Sequence, residues 1–380
     1  MKNILKTLDP VLAVAWVLAI ASAFFVHPDA KYSSYIDLRT LGILWALMVV
    51  VKGLEKNQVF EILAKKLIHK VHSAYQLALV LIGLCFFSSM FITNDVSLIT
   101  FVPFAILILN ECELKEMILP VVVFQTVAAN LGSMLTPIGN PQNLYLYGVM
   151  KISVLDFVKI LLPYTLASLV IIVVFSLFLP KKKEKLVLHR RSNHDVCEAE
   201  MPVQSDINLL HIGIYSALFV ISLLAVGRII PYYVAAAAVL AVVLVLDREV
   251  VSRADYILLL TFVGFFIFTG NMARIESVHS FLSEIIEGRV LLVSVISSQF
   301  ISNVPSALLL SDFTNNYKEL LLGVNFGGLG TLIASMASLI SYKEFGNEFP
   351  QEKAKYLLYF TFVNVVFLFA LMIVKMTSWF

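Results

Sequence analysis

Two stretches decide the fold of this chain: FSSMFITNDVSLI at 87–99 and ISSQFISNVPSAL at 296–308. Each interrupts an apolar segment with the same run of hydroxyl and amide side chains. Chance similarity between membrane helices would match leucines and valines, whereas these matches include serine and asparagine. We therefore infer an internal repeat. The identical pairs are Ser88/Ser297, Ser89/Ser298, Phe91/Phe300, Ile92/Ile301, Asn94/Asn303 and Ser97/Ser306.

A second pair of matching stretches follows the first. NLGSMLTPIGNPQNLYLY at 130–147 aligns with NFGGLGTLIASMASLISY at 325–342. Glycine and proline interrupt helices, so the alignment predicts a broken helix in each half. The identical pairs are Asn130/Asn325, Gly132/Gly327, Thr136/Thr331, Ile138/Ile333, Leu144/Leu339 and Tyr147/Tyr342. Upstream, each half has an amphipathic segment with apolar positions at Phe60, Leu63, Leu67 and Val71 or at Ile275, Val278, Leu282 and Ile285.

Composition places the chain in a membrane. Hydrophobic residues make up 59% and charged residues 14% of its 380 residues, against about 45–50% and about 25% in soluble proteins. We predict an all-α polytopic membrane protein. Its three widely separated cysteines and loop-bound basic residues argue against a disulfide framework, a zinc site and nucleic-acid binding. Spanning helices are predicted at 10–26, 38–54, 154–179, 208–228, 231–246, 255–270 and 354–378.

Lysine and arginine placement predicts the orientation. Most of the 28 basic residues fall on one side of the predicted topology, including KKKEKLVLHRR at 181–191, and cytoplasmic loops carry such an excess. We therefore predict a multi-pass protein of the cell (inner) membrane with a cytoplasmic N-terminus. The N-terminal apolar stretch could also be a signal peptide ending in ASA at 21–23. The repeat favours a retained helix, because the helix at 231–246 needs a counterpart.

The repeat predicts the domain organisation. The first repeat covers 1–179, with a re-entrant hairpin at 75–110 and a broken helix at 118–150. A cytoplasmic linker at 180–207 and a connecting helix at 208–228 follow. The second repeat covers 229–380, with a hairpin at 289–310 and a broken helix at 318–340. The connecting helix inverts the second repeat, so the hairpins enter from opposite sides, as in secondary transporters.

The broken segments supply the predicted binding groups. Backbone N–H and C=O groups freed at a break must be satisfied inside the protein or by a wet cavity. Helix N-termini offer donors and positive dipole ends to an anion, while carbonyl, hydroxyl and amide oxygens suit a sodium-like cation. No arginine or lysine lies in a tip, so an anion would depend on dipoles and hydroxyls. The predicted substrate-binding residues are Asn94, Asp95, Thr136, Asn140, Ser302 and Asn303.

Asp95 is the only carboxylate in the two tips. An ionisable residue at membrane depth is a functional candidate. Three roles remain open for it: binding a cation, carrying a proton, or capping a helix that starts at Val96.

These motifs resemble the ion transporter superfamily, which includes arsenite and NhaD-type permeases, citrate transporters and divalent-anion/sodium symporters. TNDVSL and SNVPSALLL are most similar to the YbiR-like branch of anion permeases. The resemblance covers nearly the whole chain. It implies an elevator mechanism, in which a mobile domain of hairpins and broken helices moves past a scaffold that forms a homodimer.

The resemblance also implies two cation sites, which would hold Na⁺ as the only metal. In the dicarboxylate symporters the tips read Ser-Asn-Thr, whereas Asp95 and Val304 occupy the third position here. That difference weakens the case for carboxylate recognition, and the second half also lacks the proline after its broken helix. By position, the first site consists of Ser89, Thr93, Asn94 and Gly132, and the second of Ser298, Ser302, Asn303 and Gly327.

The function predicted from the sequence is secondary transport of a small anion, an inorganic oxyanion or a carboxylate, coupled to Na⁺ or H⁺. Its partners would be the anion, the coupling cation, membrane lipids and a second copy of the chain. A sodium/proton antiporter that uses Asp95 is the alternative. A membrane-embedded enzyme is remote, because no GxSxG, HExxH or Asp-rich metal motif is present. We accordingly assign no catalytic residues and no cofactor other than the coupling ion.

Overall fold

The structure is a computed structural model that describes residues 9–68, 71–180 and 208–377. Within those ranges the chain forms α-helices joined by short connections, and no strand occurs there. The helices are α1 (Pro10–Ala23), α2 (Tyr32–Tyr35), α3 (Leu38–Lys56), α4 (Val59–Ile68), α5 (Ala74–Ile92), α6 (Asn94–Glu111), α7 (Lys115–Ser133), α8 (Pro141–Met150), α9 (Val154–Ser176), α10 (Leu209–Val226), α11 (Tyr232–Ser252), α12 (Tyr256–Arg274), α13 (Glu276–Ile286), α14 (Val290–Ile301), α15 (Asn303–Ser311), α16 (Tyr317–Phe326), α17 (Met336–Glu348) and α18 (Lys353–Thr377). Two short 3₁₀ helices, Leu332–Ala334 and Pro350–Glu352, precede α17 and α18.

Seven helices in the described ranges are long and apolar enough to cross a membrane. They are α5, α6, α7, α9, α10, α12 and the segment Pro350–Thr377 that contains α18. The predicted multi-pass, all-helical membrane protein is therefore confirmed. The predicted spans at 10–26, 38–54 and 231–246 are helical too, although α1 has only 14 residues.

Several long helices begin at the capping residues that their sequences supply. Asp9 accepts hydrogen bonds from the backbone N–H groups of Val11 and Leu12 at the start of α1, where Pro10 lacks an N–H. Ser73 caps α5 in the same way, and Ser153 caps α9. These side chains satisfy donors that the first helical turn leaves without partners.

The two predicted hairpins differ in length but share one backbone feature. The helices of the first, α5 and α6, have 19 and 18 residues, whereas those of the second, α14 and α15, have 12 and 9. Each pair is joined through one residue in a left-handed conformation. Thr93 has φ 71° and ψ 153°, and Ser302 has φ 74° and ψ 156°. Residues other than glycine rarely adopt this conformation, so its occurrence at aligned positions agrees with the repeat.

The described chain divides into two compact units. The second unit comprises the described parts of Glu55–Asn143, Ser153–Asn208 and Asn325–Phe380. In it, α7 packs against both α5 and α6, and α17 packs against α6 and α7. α9 and α18 contact each other and α7. α7 is buried along nearly its whole length because helices surround it.

The first unit comprises the described parts of Met1–Leu54, Leu144–Ile152 and Leu209–Val324. In it, α12 packs against α1, α13 and α15, while α10 packs against α11. Asn271 of α12 donates hydrogen bonds of 2.9 Å to the hydroxyls of Ser22 and Tyr32. At the end of α12, Arg274 forms an ion pair of 2.9 Å with Asp29.

Candidate functional site

The tip of the first hairpin lies against the break between α7 and α8, within the second unit. The backbone N–H of Asn94 donates to the carbonyl of Gly139 at 3.1 Å. The Asn94 side chain donates to Oδ1 of Asn130 on α7 at 3.0 Å. From the break, the hydroxyl of Thr136 donates to the carbonyl of Met90. The tip and the break therefore form one hydrogen-bonded structure.

Asn130 is the centre of this structure. Its Oδ1 also accepts a hydrogen bond from the hydroxyl of Ser335, at 3.0 Å. Its Nδ2 donates to the hydroxyl of Ser338 at 3.3 Å and to the carbonyl of Gly328 at 3.5 Å. The side chain is buried, so these bonds satisfy the whole amide away from solvent. Asn130 thereby connects the first tip to the second broken helix.

Asn325 makes the reciprocal contacts. Its Oδ1 accepts from Nδ2 of Asn140 at 3.2 Å, and its Nδ2 donates to Oδ1 of Asn143 at 2.7 Å. In the alignment of 130–147 with 325–342, positions 140 and 143 correspond to 335 and 338. Asn130 contacts 335 and 338, and Asn325 contacts 140 and 143. Each aligned asparagine thus bonds the break of the opposite half.

Asn143 satisfies the backbone carbonyls that the first break exposes. Its Nδ2 lies 3.4 Å from the carbonyl oxygen of Ser133, 2.9 Å from that of Met134 and 3.1 Å from that of Thr136. At the start of α8, the backbone N–H of Asn143 donates to Oδ1 of Asn140 at 2.9 Å. The GNPQN sequence therefore both ends the break and starts the next helix.

Two glycines permit the close backbone approach at this site. A Cβ atom on Gly132 would lie 2.0 Å from the carbonyl oxygen of Phe86 and 2.7 Å from the hydroxyl of Ser89. A Cβ atom on Gly139 would lie 2.0 Å from the carbonyl oxygen of Ser133. Because backbone atoms cannot rotate away, neither position has room for a side chain.

The N-termini of three helices converge on Asn130 and Ser133. Asn94, the first residue of α6, bonds Asn130, as does Ser335, which precedes α17. Asn140, which precedes α8, donates to the hydroxyl of Ser133 at 3.2 Å, and that hydroxyl donates to the carbonyl of Asn130 at 3.0 Å. Each N-terminus carries a partial positive charge of about half an electronic charge. The convergence brings three partial positive charges together through amides, hydroxyls and peptide groups, and the Asp95 carboxylate lies in the first turn of α6.

The structure brings several predicted site residues of the first half together. Asn94, Thr136 and Asn140 belong to one network, and Ser89 lies beside Gly132, as described above. Thr93 forms the strained tip. Its hydroxyl does not cap α6.

Asp95 lies in the first turn of α6, where its N–H donates to Oδ1 of Asn94 at 3.0 Å. The interpretation that Asp95 caps a helix starting at Val96 is wrong, because α6 already begins at Asn94. Asp95 is half-buried, and its carboxylate lies close to the positive N-terminus of its own helix.

The predicted residues of the second half are divided between the units. Ser298, Ser302 and Asn303 lie in the first unit, whereas Gly327 belongs to the second. The hydroxyl of Ser298 donates to the carbonyl of Ser294 at 2.7 Å, and that of Ser302 lies 3.4 Å from Oδ1 of Asn303. These tip side chains are buried.

Sequence reasoning did not assign the residues that organise the site. The signal for two of them was present, because Asn130 and Asn325 are aligned asparagines at membrane depth. The others were recognised only as residues of a break, since their partners come from distant parts of the chain. The unassigned residues are Asn130, Ser133, Asn143, Asn325, Ser335 and Ser338.

Comparison with known proteins identifies the family of this chain. The model of the citrate transporter family matches residues 4–316. The chain belongs to the citrate transporter family. This membership confirms the predicted resemblance to the ion transporter superfamily and identifies the chain as a membrane transporter rather than an enzyme.

Two similar proteins match most of the chain. An uncharacterized transporter of Methanocaldococcus jannaschii is 30% identical over 310 residues, which are 81% of this chain and 81% of that protein. The inner membrane protein YbiR of Escherichia coli is 30% identical over 331 residues, 86% of this chain and 85% of that protein. A shorter match joins this citrate transporter family member to the silicon efflux transporter LSI3 of Oryza sativa, at 33% identity over 144 residues, 38% of this chain and 29% of that one.

Proposed function

We propose that this protein is a secondary active transporter that moves a small anion, an inorganic oxyanion or a carboxylate. Transport would be driven by a Na⁺ or H⁺ gradient. The observation that carries the proposal is the convergence of the N-termini of α6, α8 and α17 on Asn130 and Ser133. These helix N-termini would attract an anion chiefly through their dipoles, because the N–H groups of Asn94, Asp95 and Asn143 already have acceptors.

No arginine or lysine lies in the two tips, and this suits transport. A fully charged arginine in a dry site would hold an oxyanion tightly, and a transporter must also release its substrate. Partial charges from helix ends and hydroxyl donors attract an anion more weakly. Citrate and silicic acid enter the substrate panel because the family and one similar protein carry those names.

We propose that the coupling cation binds next to the anion. Hydroxyl and carbonyl oxygens are hard ligands that suit Na⁺. Ser89, beside Gly132, and Thr93 and Asn94 at the tip carry such oxygens. Asp95 offers a proton-carrying carboxylate at the same tip if H⁺ is the coupling ion. A second cation site would involve Ser298, Ser302 and Asn303 of the first unit.

We also propose that the halves are inverted repeats, that transport follows an elevator mechanism, and that the transporter is a homodimer with a cytoplasmic N-terminus. The reciprocal contacts of Asn130 and Asn325 support the repeat, because a two-fold relation between the breaks requires such an exchange. The matching dihedral angles at Thr93 and Ser302 support it independently.

The test is electrical recording from proteoliposomes on a solid-supported membrane. Sulfate, succinate, citrate, arsenite and silicic acid are applied in turn, with and without sodium, at two pH values. We expect a current that requires one class of anion and either sodium or a proton gradient. Asp95→Asn should abolish the current or change its coupling ion, while Gly83→Ala, on an open face of α5, should transport normally.

The sodium/proton antiporter makes the opposite prediction. Proton flux triggered by sodium alone, with no anion-dependent current for any compound and with loss of flux in Asp95→Asn, would replace the anion proposal with the antiporter.

A further inference from the structure

Two arginines of the first unit face the same aromatic ring. The guanidinium carbon of Arg228, which follows α10, lies 4.9 Å from the ring centroid of Tyr147 on α8. That of Arg39, in the first turn of α3, lies 5.8 Å from the same centroid. Cations within about 6 Å of an aromatic centroid are attracted to the ring. Tyr147 therefore holds two like charges near each other.

Each arginine donates through Nη2 to a backbone carbonyl. Arg228 donates through Nη2 to the carbonyl of Tyr147 at 3.0 Å and lies 3.5 Å from that of Gly148. Arg39 donates through Nη2 to the carbonyl of Val226 at 3.2 Å. Nη1 of Arg39 is buried and has no hydrogen-bond partner in the described structure. A buried donor without a partner is unfavourable, so this nitrogen indicates a missing acceptor.

The nearest carboxylate does not supply that acceptor. One oxygen of Asp37 accepts from the backbone N–H groups of Arg39 and Thr40, at 3.0 and 3.1 Å. The other accepts from the Thr40 hydroxyl. Asp37 therefore acts as a local cap at the start of α3 and leaves Nη1 of Arg39 without an acceptor.

Gly148 lies next to the unpaired nitrogen. A Cβ atom on Gly148 would lie 3.4 Å from Nη1 of Arg39, 3.5 Å from the Thr40 hydroxyl and 3.6 Å from the Asp37 carboxylate. These are ordinary contact distances, so a methyl group is accommodated there, and the two methyl groups of a valine would occupy the volume next to Nη1.

We propose that Arg39 and Arg228, backed by Tyr147, bind an oxyanion group of the phosphate, sulfate or carboxylate class. Arginine binds such groups through paired, charge-assisted hydrogen bonds, and an oxyanion would supply the acceptor that Nη1 lacks while offsetting the repulsion between the two cations. This site differs from the neutral network around Asn130, because guanidinium groups supply its charge. The oxyanion comes either from solution or from the phosphate of an anionic lipid headgroup.

A purely structural role for the arginines is the competing interpretation. Both arginines donate to backbone carbonyls at the C-terminal ends of helices, since Val226 is the last residue of α10 and Tyr147 lies in the last turn of α8. Capping alone predicts that the thermal stability is indifferent to oxyanions. The proposed site predicts that oxyanions stabilise the protein, because a ligand that binds the folded state raises its melting temperature.

The experiment measures thermal unfolding of the purified full-length chain with two probes. The first is sodium sulfate or sodium phosphate in detergent, against sodium chloride supplemented with choline chloride so that sodium concentration and ionic strength are equal. The second is a nanodisc of phosphatidylcholine with or without phosphatidylglycerol. The variants are Arg39→Gln, Arg228→Gln and Gly148→Val, with the exposed Arg248→Gln as the matched control.

We expect sulfate, phosphate or phosphatidylglycerol to raise Tm in the parent chain and in Arg248→Gln. The concentration that gives half the effect should increase at least tenfold in Arg39→Gln and in Arg228→Gln. Gly148→Val keeps both charges and both caps but fills the space, so it should weaken the effect equally, and it decides the question if an arginine variant does not fold. A response to sulfate identifies a free oxyanion, and a response to phosphatidylglycerol alone identifies a headgroup.

The proposal is overturned if no probe raises Tm of the parent chain, or if the probes act equally on the parent, Arg39→Gln and Gly148→Val. Adding Asn130→Asp separates this site from the proposed transport site. A sulfate effect that survives Asn130→Asp and disappears in Gly148→Val belongs to the arginine pair. A sulfate effect that disappears only in Asn130→Asp belongs to the proposed transport site and contradicts the proposed arginine site. Neither result depends on measured transport.

Discussion

Replacing Asn130 with aspartate tests whether the converging helix ends form the anion site. The substitution keeps the shape of the side chain and the oxygen that accepts from Asn94 and Ser335. It removes two donor bonds, those to Ser338 at 3.3 Å and to Gly328 at 3.5 Å. It also places a full negative charge where we propose that the anion binds.

The expected loss of anion affinity can be estimated from electrostatics. Two unit charges about 5 Å apart at an effective dielectric constant of about 20 repel by about 3 kcal/mol. An energy of this size lowers affinity on the order of hundredfold. We therefore expect Asn130→Asp to raise the half-saturating anion concentration on the order of hundredfold, or to abolish the anion-dependent current.

The same variant should lose less stability than Asn143→Asp. The two lost bonds are each worth about 1 kcal/mol, and each nearby helix N-terminus returns about 0.3–1 kcal/mol or more to a carboxylate. The new carboxylate also loses its hydration at this buried position. Asn143→Asp has the same hydration cost and in addition leaves three carbonyls without their donor.

Asn143→Asp is the matched control. The Asn143 amide donates to three backbone carbonyls, and a carboxylate there would face three acceptors. We expect a loss of at least about 3 kcal/mol, because three buried acceptors lose their donor. Thermal unfolding in detergent measures stability, and proteoliposome currents measure affinity. Unchanged anion affinity in Asn130→Asp, or equal destabilisation by the two substitutions, would refute the proposed role of the helix ends.

Three further predictions concern close packing, backbone strain and an ion pair. Gly132→Ala should lower the free energy of unfolding by about 3 kcal/mol, because its Cβ would lie 2.0 Å from a backbone carbonyl oxygen. The control Gly83→Ala should be neutral or slightly stabilising in the same thermal unfolding assay. A tolerated Gly132→Ala would contradict the close backbone approach. Thr93→Gly and Ser302→Gly should each stabilise the fold by about 1 kcal/mol, since both residues have left-handed φ values, and unequal effects would weaken the match between the tips. The hydrogen bond from Arg274 lowers the pKa of Asp29. The ion pair therefore stabilises the folded state above the unfolded pKa of about 3.9, and this stabilisation is lost as the pH falls through the lower folded pKa. The Tm difference between the parent and Asp29→Asn should disappear at low pH, and a constant difference would exclude the ion pair as its cause.

The sequence predicted the membrane class and most helix positions because composition and apolar length dominate both. The predicted broken helices at 118–150 and 318–340 correspond to α7–α8 and α16–α17, since glycine and proline mark breaks directly. The junction inside the first hairpin was less evident. A left-handed Thr93 joins α5 and α6 without a loop, and no composition signal distinguishes that junction from a longer turn.

The contacts within the site could not be predicted in the same way. Asn130 and Ser335 are far apart in sequence, and each belongs to a different half. Hydropathy reports which residues face lipid, but it does not report which polar side chains meet. Of the three roles left open for Asp95, capping is excluded. Its position before an apolar run allowed a cap for a helix starting at Val96, yet α6 starts two residues earlier, at Asn94.

The reciprocal bonds of Asn130 and Asn325 have a consequence for how the breaks respond to substitution. Each asparagine satisfies polar groups of the other half, so removing one leaves donors and acceptors unpaired in the opposite break. In Asn130→Ala those groups belong to the break before α17, and in Asn325→Ala they belong to Asn140 and Asn143. If the two breaks act as one unit, the double variant should be destabilised by less than the sum of the single variants, because the first substitution already loosens the shared network. Additive effects would instead mean that the two breaks are energetically independent. That result would contradict the proposal that both broken helices belong to one mobile domain.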